Sequence, residues 1–146
     1  MRDKLRDAKD NYWAGIVDIQ RQVAVAWVLH AEGKYDEALN AMSAAADAED
    51  KTEKHVITPG PLAPARELYG FMLLDRGMSK EALVAFEATK AKEPNRLHAF
   101  AGAAKAAEGI GDKDAARQNY QQLVTLTANA DSELSLIHIS EPTRPY

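Results

Sequence analysis

The sequence contains no cysteine. That excludes disulfides, thiolate nucleophiles and sulfur-ligated metals, and leaves the redox compartment open. An excess of positive charge is also missing: 18 Lys and Arg against 22 Asp and Glu give a net charge of −4. Without a basic field there is nothing to draw a phosphate backbone, so nucleic acid is not an expected partner. No apolar run approaches the roughly 18 residues that suggest a membrane-crossing helix, so no membrane partner is expected. The opening "MRDKLRDAKD" is charged throughout and lacks the apolar core of a secretory signal. The chain as written reads as soluble and carries no targeting segment, but localisation stays open because Met1 need not be the natural start.

Chemistry-bearing motifs are scarce as well. The histidines His30, His55, His98 and His138 show no i, i+4 spacing with an acidic neighbour, so no metal is expected. There is no GxSxG elbow and no GxxxxGK[ST] phosphate loop, and no carboxylate pair stands isolated in an apolar stretch. Asp36, Glu37 and Glu81 fall in first turns of helical stretches, where the helix dipole accounts for them. No catalytic residues and no cofactor are expected, and the chain reads as a non-enzyme.

What is present is helical periodicity. A composition 46% hydrophobic and 27% charged places the 146 residues in the ordinary globular class, with room for one domain. Three segments align: "GKYDEALNAMSAA" from Gly33, "GMSKEALVAFEAT" from Gly77 and "GDKDAARQNYQQL" from Gly111. Each has glycine, then alanine five residues on (Ala38, Ala82, Ala116), then a large residue four further (Met42, Phe86, Tyr120). Another amphipathic stretch precedes each glycine, so the unit is helix, tight turn, helix. Ala82 to Ala116 spans 34 residues and Ala38 to Ala82 spans 44, one regular interval and one with ten extra.

This pattern resembles the tetratricopeptide repeat (TPR) family. In the middle unit Tyr69, Gly70, Leu73, Gly77, Ala82, Phe86 and Pro94 fall where that family places its signature residues. The third unit repeats Ala103, Ala104, Ala107, Gly111, Ala116 and Tyr120 in phase, without a closing proline, and the first offers Val25, Ala26, Leu29, Gly33, Tyr35 and Ala38. The resemblance implies an all-α fold, an α-α superhelix (solenoid) of about three TPR-like units at 19–52, 63–96 and 97–130. An insert loop would occupy 53–62 and a non-repeat tail 131–146. Small residues at Gly70, Ala82, Ala104 and Ala116 suit close helix approach, and Leu73, Leu83, Phe86, Tyr120 and Leu123 fill the space beside them. Ser79, Asn95 and Asp112 are expected helix caps. A stripe of Tyr12, Ile16, Ile19, Val23 and Ala26 lengthens the first helix, which either covers the end of the stack or packs on a preceding repeat.

Function follows as an implication of the resemblance: a non-catalytic scaffold that holds a protein or peptide in a groove lined by first helices. Carried over by phase, the groove candidates are Trp27, His30, Glu67, Phe71, Leu74, Ala101, Lys105 and Glu108. Trp27 and Phe71 are candidate anchors unless the long helix or the proline loop buries them. No Lys and Arg cluster suits capture of a carboxylate terminus. In the insert, Pro59-Gly60 suits a type II turn, and Lys54, His55 and Val56 are loop candidates. The alternatives are an accessory repeat region of a larger enzyme and a self-association module.

The end of the chain breaks the pattern. Leu134 to Arg144 resembles the translation of a transposase adapter used in sequencing libraries, so 134–146 is expected to be artefactual and to pack against nothing specific. The rest resembles a fragment of longer bacterial TPR proteins, with Val124 and Leu126 partly uncovered.

Overall fold

The computed structural model describes residues 1–7, 10–52 and 60–128, with backbone alone at positions 5 and 6. The described residues form seven helices and no strand: α1 (Arg2–Asp7), α2 (Asn11–Ala31), α3 (Tyr35–Asp50), α4 (Ala65–Asp75), α5 (Ser79–Lys92), α6 (Leu97–Gly109) and α7 (Lys113–Thr127). From α2 onward each helix packs chiefly on the next, which makes three hairpins stacked in sequence order.

The three hairpin turns are built alike. Gly33, Gly77 and Gly111 have φ of +78°, +72° and +80°, a left-handed conformation that disfavours any side chain. The amide after each glycine donates five residues back, Lys34 to Leu29, Met78 to Leu73 and Asp112 to Ala107, all at 2.9 Å. This closure satisfies the orphan carbonyls of the first helix and turns the chain at once into the second. Ala38, Ala82 and Ala116, five residues past each glycine, are buried against the preceding helix.

The core is a chain of joints. One cluster joins Val23 and Ala26 of α2 to Met42 and Ala46 of α3 and to Ala65 and Met72 of α4. The next joins Leu73 of α4 to Ala82 and Phe86 of α5 and to Ala103 and Ala106 of α6. Leu39 and Tyr69 touch both. Phe86 is fully buried between two glycines: a Cβ on Gly70 of α4 would lie 2.8 Å from its ring, and one on Gly102 of α6 only 2.3 Å.

Two of the expected caps differ. Asp112 accepts from the Ala115 amide at 2.9 Å, as expected of a cap. Ser79 instead is the first residue inside α5, behind Met78 at the cap position. Asn95 turns left-handed at φ +66°, and Arg96 takes the cap position of α6. At neither cap position does a side chain accept a helix amide.

The long first helix is present, but it does not run to the amino terminus. Asp10 caps α2 by accepting from the Trp13 amide at 3.2 Å, and α1 packs back along α2. Arg2 donates to Asp18 at 2.9 Å, and Ala14, one turn before Asp18 on the same face, is buried. Val124 is exposed and Leu126 half-buried at the far end of the stack. The expected tail, 131–146, and the loop candidates Lys54, His55 and Val56 with Pro59 lie outside the described residues.

Candidate partner-binding surface

Trp27 of α2, Phe71 of α4 and Lys105 of α6 occupy equivalent places in the three hairpins, each eleven residues before the buried alanine of the second helix. Trp27 remains 38% exposed, so its ring is half available to solvent. Phe71 is half-buried because its ring meets the edge of Phe86 at 5.0 Å between centroids. Its other neighbour is His98 of α6, edge-on at 6.3 Å. Lys105 is exposed.

His30 lies one turn past Trp27 and packs edge-on against it at 5.6 Å and against Tyr35 of α3 at 5.2 Å. Its Nε2 is 3.0 Å from Asp75 Oδ2 at the end of α4, off the line of a proper hydrogen bond, and the buried nitrogen has no aligned partner. Arg76 lies over the Tyr35 ring with its guanidinium carbon 3.7 Å from the centroid. Trp27, His30, Tyr35, Asp75 and Arg76 therefore form one cluster across α2, α3 and α4.

Glu67 is not placed to meet a partner. It is buried, and Arg96 grips it through two bonds, Nε to Oε2 at 2.9 Å and Nη2 to Oε1 at 3.0 Å. The same guanidinium donates to the Leu62 carbonyl at 2.8 Å and the Pro61 carbonyl at 3.4 Å. Charge pairing at this depth requires that every donor and acceptor be met, and here the pair ties the loop before α4 to the start of α6. Glu67 is a structural carboxylate in a position that the repeat phase assigns to the binding face.

The remaining candidates separate. Leu74 and Ala101 are half-buried, and Glu108 is exposed and accepts from the Tyr120 hydroxyl at 3.0 Å. Burial, with the Glu108 carboxylate second, pushes the Tyr120 phenol above its usual range. Contacts thus join α2 to α4 through His30 and α4 to α6 through Phe71, while Lys105 and Glu108 stand apart on α6. His98, Asp75 and Arg76 are additions to the sequence reading. Counting back two turns from Lys105 reaches His98, so helical spacing held that signal; nothing in the spacing marks Arg76, whose contact comes from the neighbouring hairpin.

A cleft of about 470 Å³ lies on another side, between the first turns of α2 and the loop 60–64. Tyr12, Ile16, Ile19, Pro61 and Pro64 supply apolar walls, with Glu49 and Lys92 at its polar edge. Glu49 accepts from the Ala65 amide at 2.6 Å. Burial raises its pKa, and the amide opposes that rise. Among the described residues no group of three or more acidic or imidazole side chains converges to hold a metal ion, and no helix is long and apolar enough to cross a membrane.

No protein-family model matches the sequence, and no curated protein does. Solved structures do. PcrH from Pseudomonas aeruginosa superposes with a TM-score of 0.62 at 17% identity, over 86% of this chain and 87% of that one. A D159K mutant of MamA superposes with a TM-score of 0.57 at 24% identity, over 91% of this chain and 64% of that one. At such identities the likeness concerns the fold, and it agrees with the repeated turns and stacked hairpins: this is a helical repeat stack of the TPR type.

Proposed function

We propose that this chain is a non-catalytic protein-interaction scaffold whose concave face, formed by α2, α4 and α6, holds a segment of another protein. One observation carries the reading. Positions that build the stack recur in all three hairpins, with glycine turns of the same conformation and the same buried alanine five residues later. Equivalent positions on the first helices do not recur, being Trp27, Phe71 and Lys105. Packing alone asks for repetition, and a surface that abandons it while keeping a large exposed ring has the make-up of a recognition face. On this reading the repeat units are 19–52, 63–96 and 97–130, with 53–62 inserted between the first two.

Glu67 is outside the recognition set, and His98 joins it. The mixture of rings at Trp27, Phe71 and His98 with a cation at Lys105 favours an extended or helical segment with an apolar anchor and an acidic residue nearby. Peptides selected for binding to the folded chain test this. They should lose about tenfold or more in affinity on Trp27→Ala, the size expected for an anchor residue. Lys105→Glu should weaken acidic peptides selectively, and Val84→Ala on exposed α5 should change nothing. Selected peptides that ignore Trp27 and Lys105 and respond to Val84 would sink the proposal.

A further inference from the structure

α2 carries few charges for a helix at the end of a stack. Between Asn11 and Ala31 only Asp18 and Arg21 are charged, apart from the titratable His30. One side of the helix turns Ile19, Val23 and Ala26 into the core. On the opposite side Arg21, Val25, Val28 and Glu32 follow at steps of four, three and four, a single seam. Val25 is 42% exposed and Val28 57%, with exposed Ala24 beside them. A helix apolar on both sides is normally covered on both. α1 reaches Asp18 and stops short of this seam. At the other end of the stack α7 turns Arg117, Gln118, Gln121, Gln122 and Thr125 outward, and Val124 is the one large apolar side chain exposed on that helix.

Charge decides what suits the α2 face. It consists of two valines bracketed by opposite charges, which makes it complementary to itself when reversed. We propose that a second copy of this chain covers it, with the two α2 helices antiparallel about a twofold axis between Ala26 and Trp27. Val25 then faces Val28 of the second copy, and Arg21 faces Glu32 of the second copy at both ends. A parallel pair would set Arg21 on Arg21 and Glu32 on Glu32, and end-to-end stacking would set the valines against the glutamines of α7. The small side chain of Ala24 allows close approach. Arg21 now contacts Asp18 at 3.1 Å and Glu32 contacts Lys34 at 2.8 Å; Glu32 and Lys34 are an exposed pair of little strength, and Asp18 keeps Arg2 and Gln22 when Arg21 turns away, so both contacts can be exchanged for the new ones. A single helix pair falls below the standard interface size, so the dimer is on the order of micromolar in affinity or weaker. The binding face at Trp27 and Phe71 stays open in it, and the inference does not depend on what that face holds.

Sedimentation velocity from low micromolar to several hundred micromolar chain is the test, with far-ultraviolet circular dichroism confirming that each variant keeps its helices. The mass should climb from 16.0 kDa towards twice that value. Val28→Glu should hold it at the monomer, and Arg21→Glu or Glu32→Arg alone should raise the dissociation constant tenfold or more. The double variant R21E/E32R should recover the dimer, because this register alone sets those two positions opposite each other. A monomer across the whole range would overturn the proposal and leave the face to a different chain. A dimer that ignores the single reversals, or that the double variant fails to restore, would overturn it equally.

Discussion

Phe86 stands where three helices meet, and the two glycines around it are spacers. Replacing Gly102 with alanine would set a methyl 2.3 Å from the ring of a side chain with no room to retreat. Overpacking of this kind costs about 1–3 kcal/mol, against which the alanine regains up to about 1 kcal/mol of helix propensity. We expect Gly102→Ala to lower the urea midpoint with an unchanged slope, and Gly70→Ala, at 2.8 Å, to lower it less. An unchanged or raised midpoint for Gly102→Ala would mean that the joint has slack. Glu67 and Arg96 give a second case. Arg96→Met leaves a buried carboxylate unpaired and should cost about 3–5 kcal/mol, while adding Glu67→Leu should return most of that loss. If both variants are equally unstable, the loop anchoring at Pro61 and Leu62 matters more than the charge. Half of the Phe86 joint was legible in the sequence, where Gly70 and Ala82 read as small contacts and Phe86 as the filler beside them; Gly102 was not, since no recurring spacing marks it. The Glu67 pairing was not, since its partner lies 29 residues away and helical phase assigns a face without saying what comes to meet it.

Helix ends and the short α1 belong to the scale of elements. Asp18 accepts from Arg2, Gln22 and Arg21, and these bonds, that of Arg2 foremost, hold its carboxyl far below the usual range. The sign follows from that direction. Asp18 favours the docked state fully above the ordinary carboxylate value of about 4, and the contribution fades as pH falls below it towards the folded value. Amide exchange in α1 should therefore quicken relative to α3 on acidification below that point, and Asp18→Asn should quicken it at neutral pH and remove the dependence. An α1 that keeps its protection in Asp18→Asn would show that apolar contact, not Arg2, docks it. Glu49 works in the opposite sense, because burial raises its pKa. The penalty for ionising it is complete above the folded value and is relieved as pH falls through that value towards the ordinary glutamate value of about 4, so Glu49→Gln should flatten the rise in stability over that interval. The length of α2 was readable from its apolar stripe, and its start was not. Asp10, a single capping acid in a charged stretch, ends the pattern that periodicity would carry further. Ser79 shows the converse, a good capping residue that the tight glycine turn carries one place too far.

At the scale of the whole molecule each hairpin touches only its neighbours, so cohesion passes through one joint at a time. The repeat itself was legible because stacking imposes the same turn and the same buried alanine on every unit. The 44-residue interval was legible too, as a departure from the 34-residue one, and so were the non-recurring Trp27, Phe71 and Lys105; what the spacing did not tell was which neighbours meet those side chains, because contacts between hairpins are not local in sequence. The linear arrangement makes a prediction that a globular core would not. Both tryptophans, Trp13 and Trp27, lie in α2, whereas Phe86 and Gly102 couple α4 and α5 to α6 and α7. In the native chain, fluorescence and far-ultraviolet circular dichroism should unfold together, because the joint at Phe86 makes the stack cooperative. Gly102→Val would force that joint open with a larger side chain. Circular dichroism should then lose the α6 and α7 signal at a lower denaturant concentration, while the fluorescence transition moves little. Coincident transitions in Gly102→Val, both shifted down, would mean that cooperativity survives without the joint and that the stack unfolds as one body. Split transitions already present in the native chain would place the weak interface elsewhere, between the α2–α3 hairpin and α4.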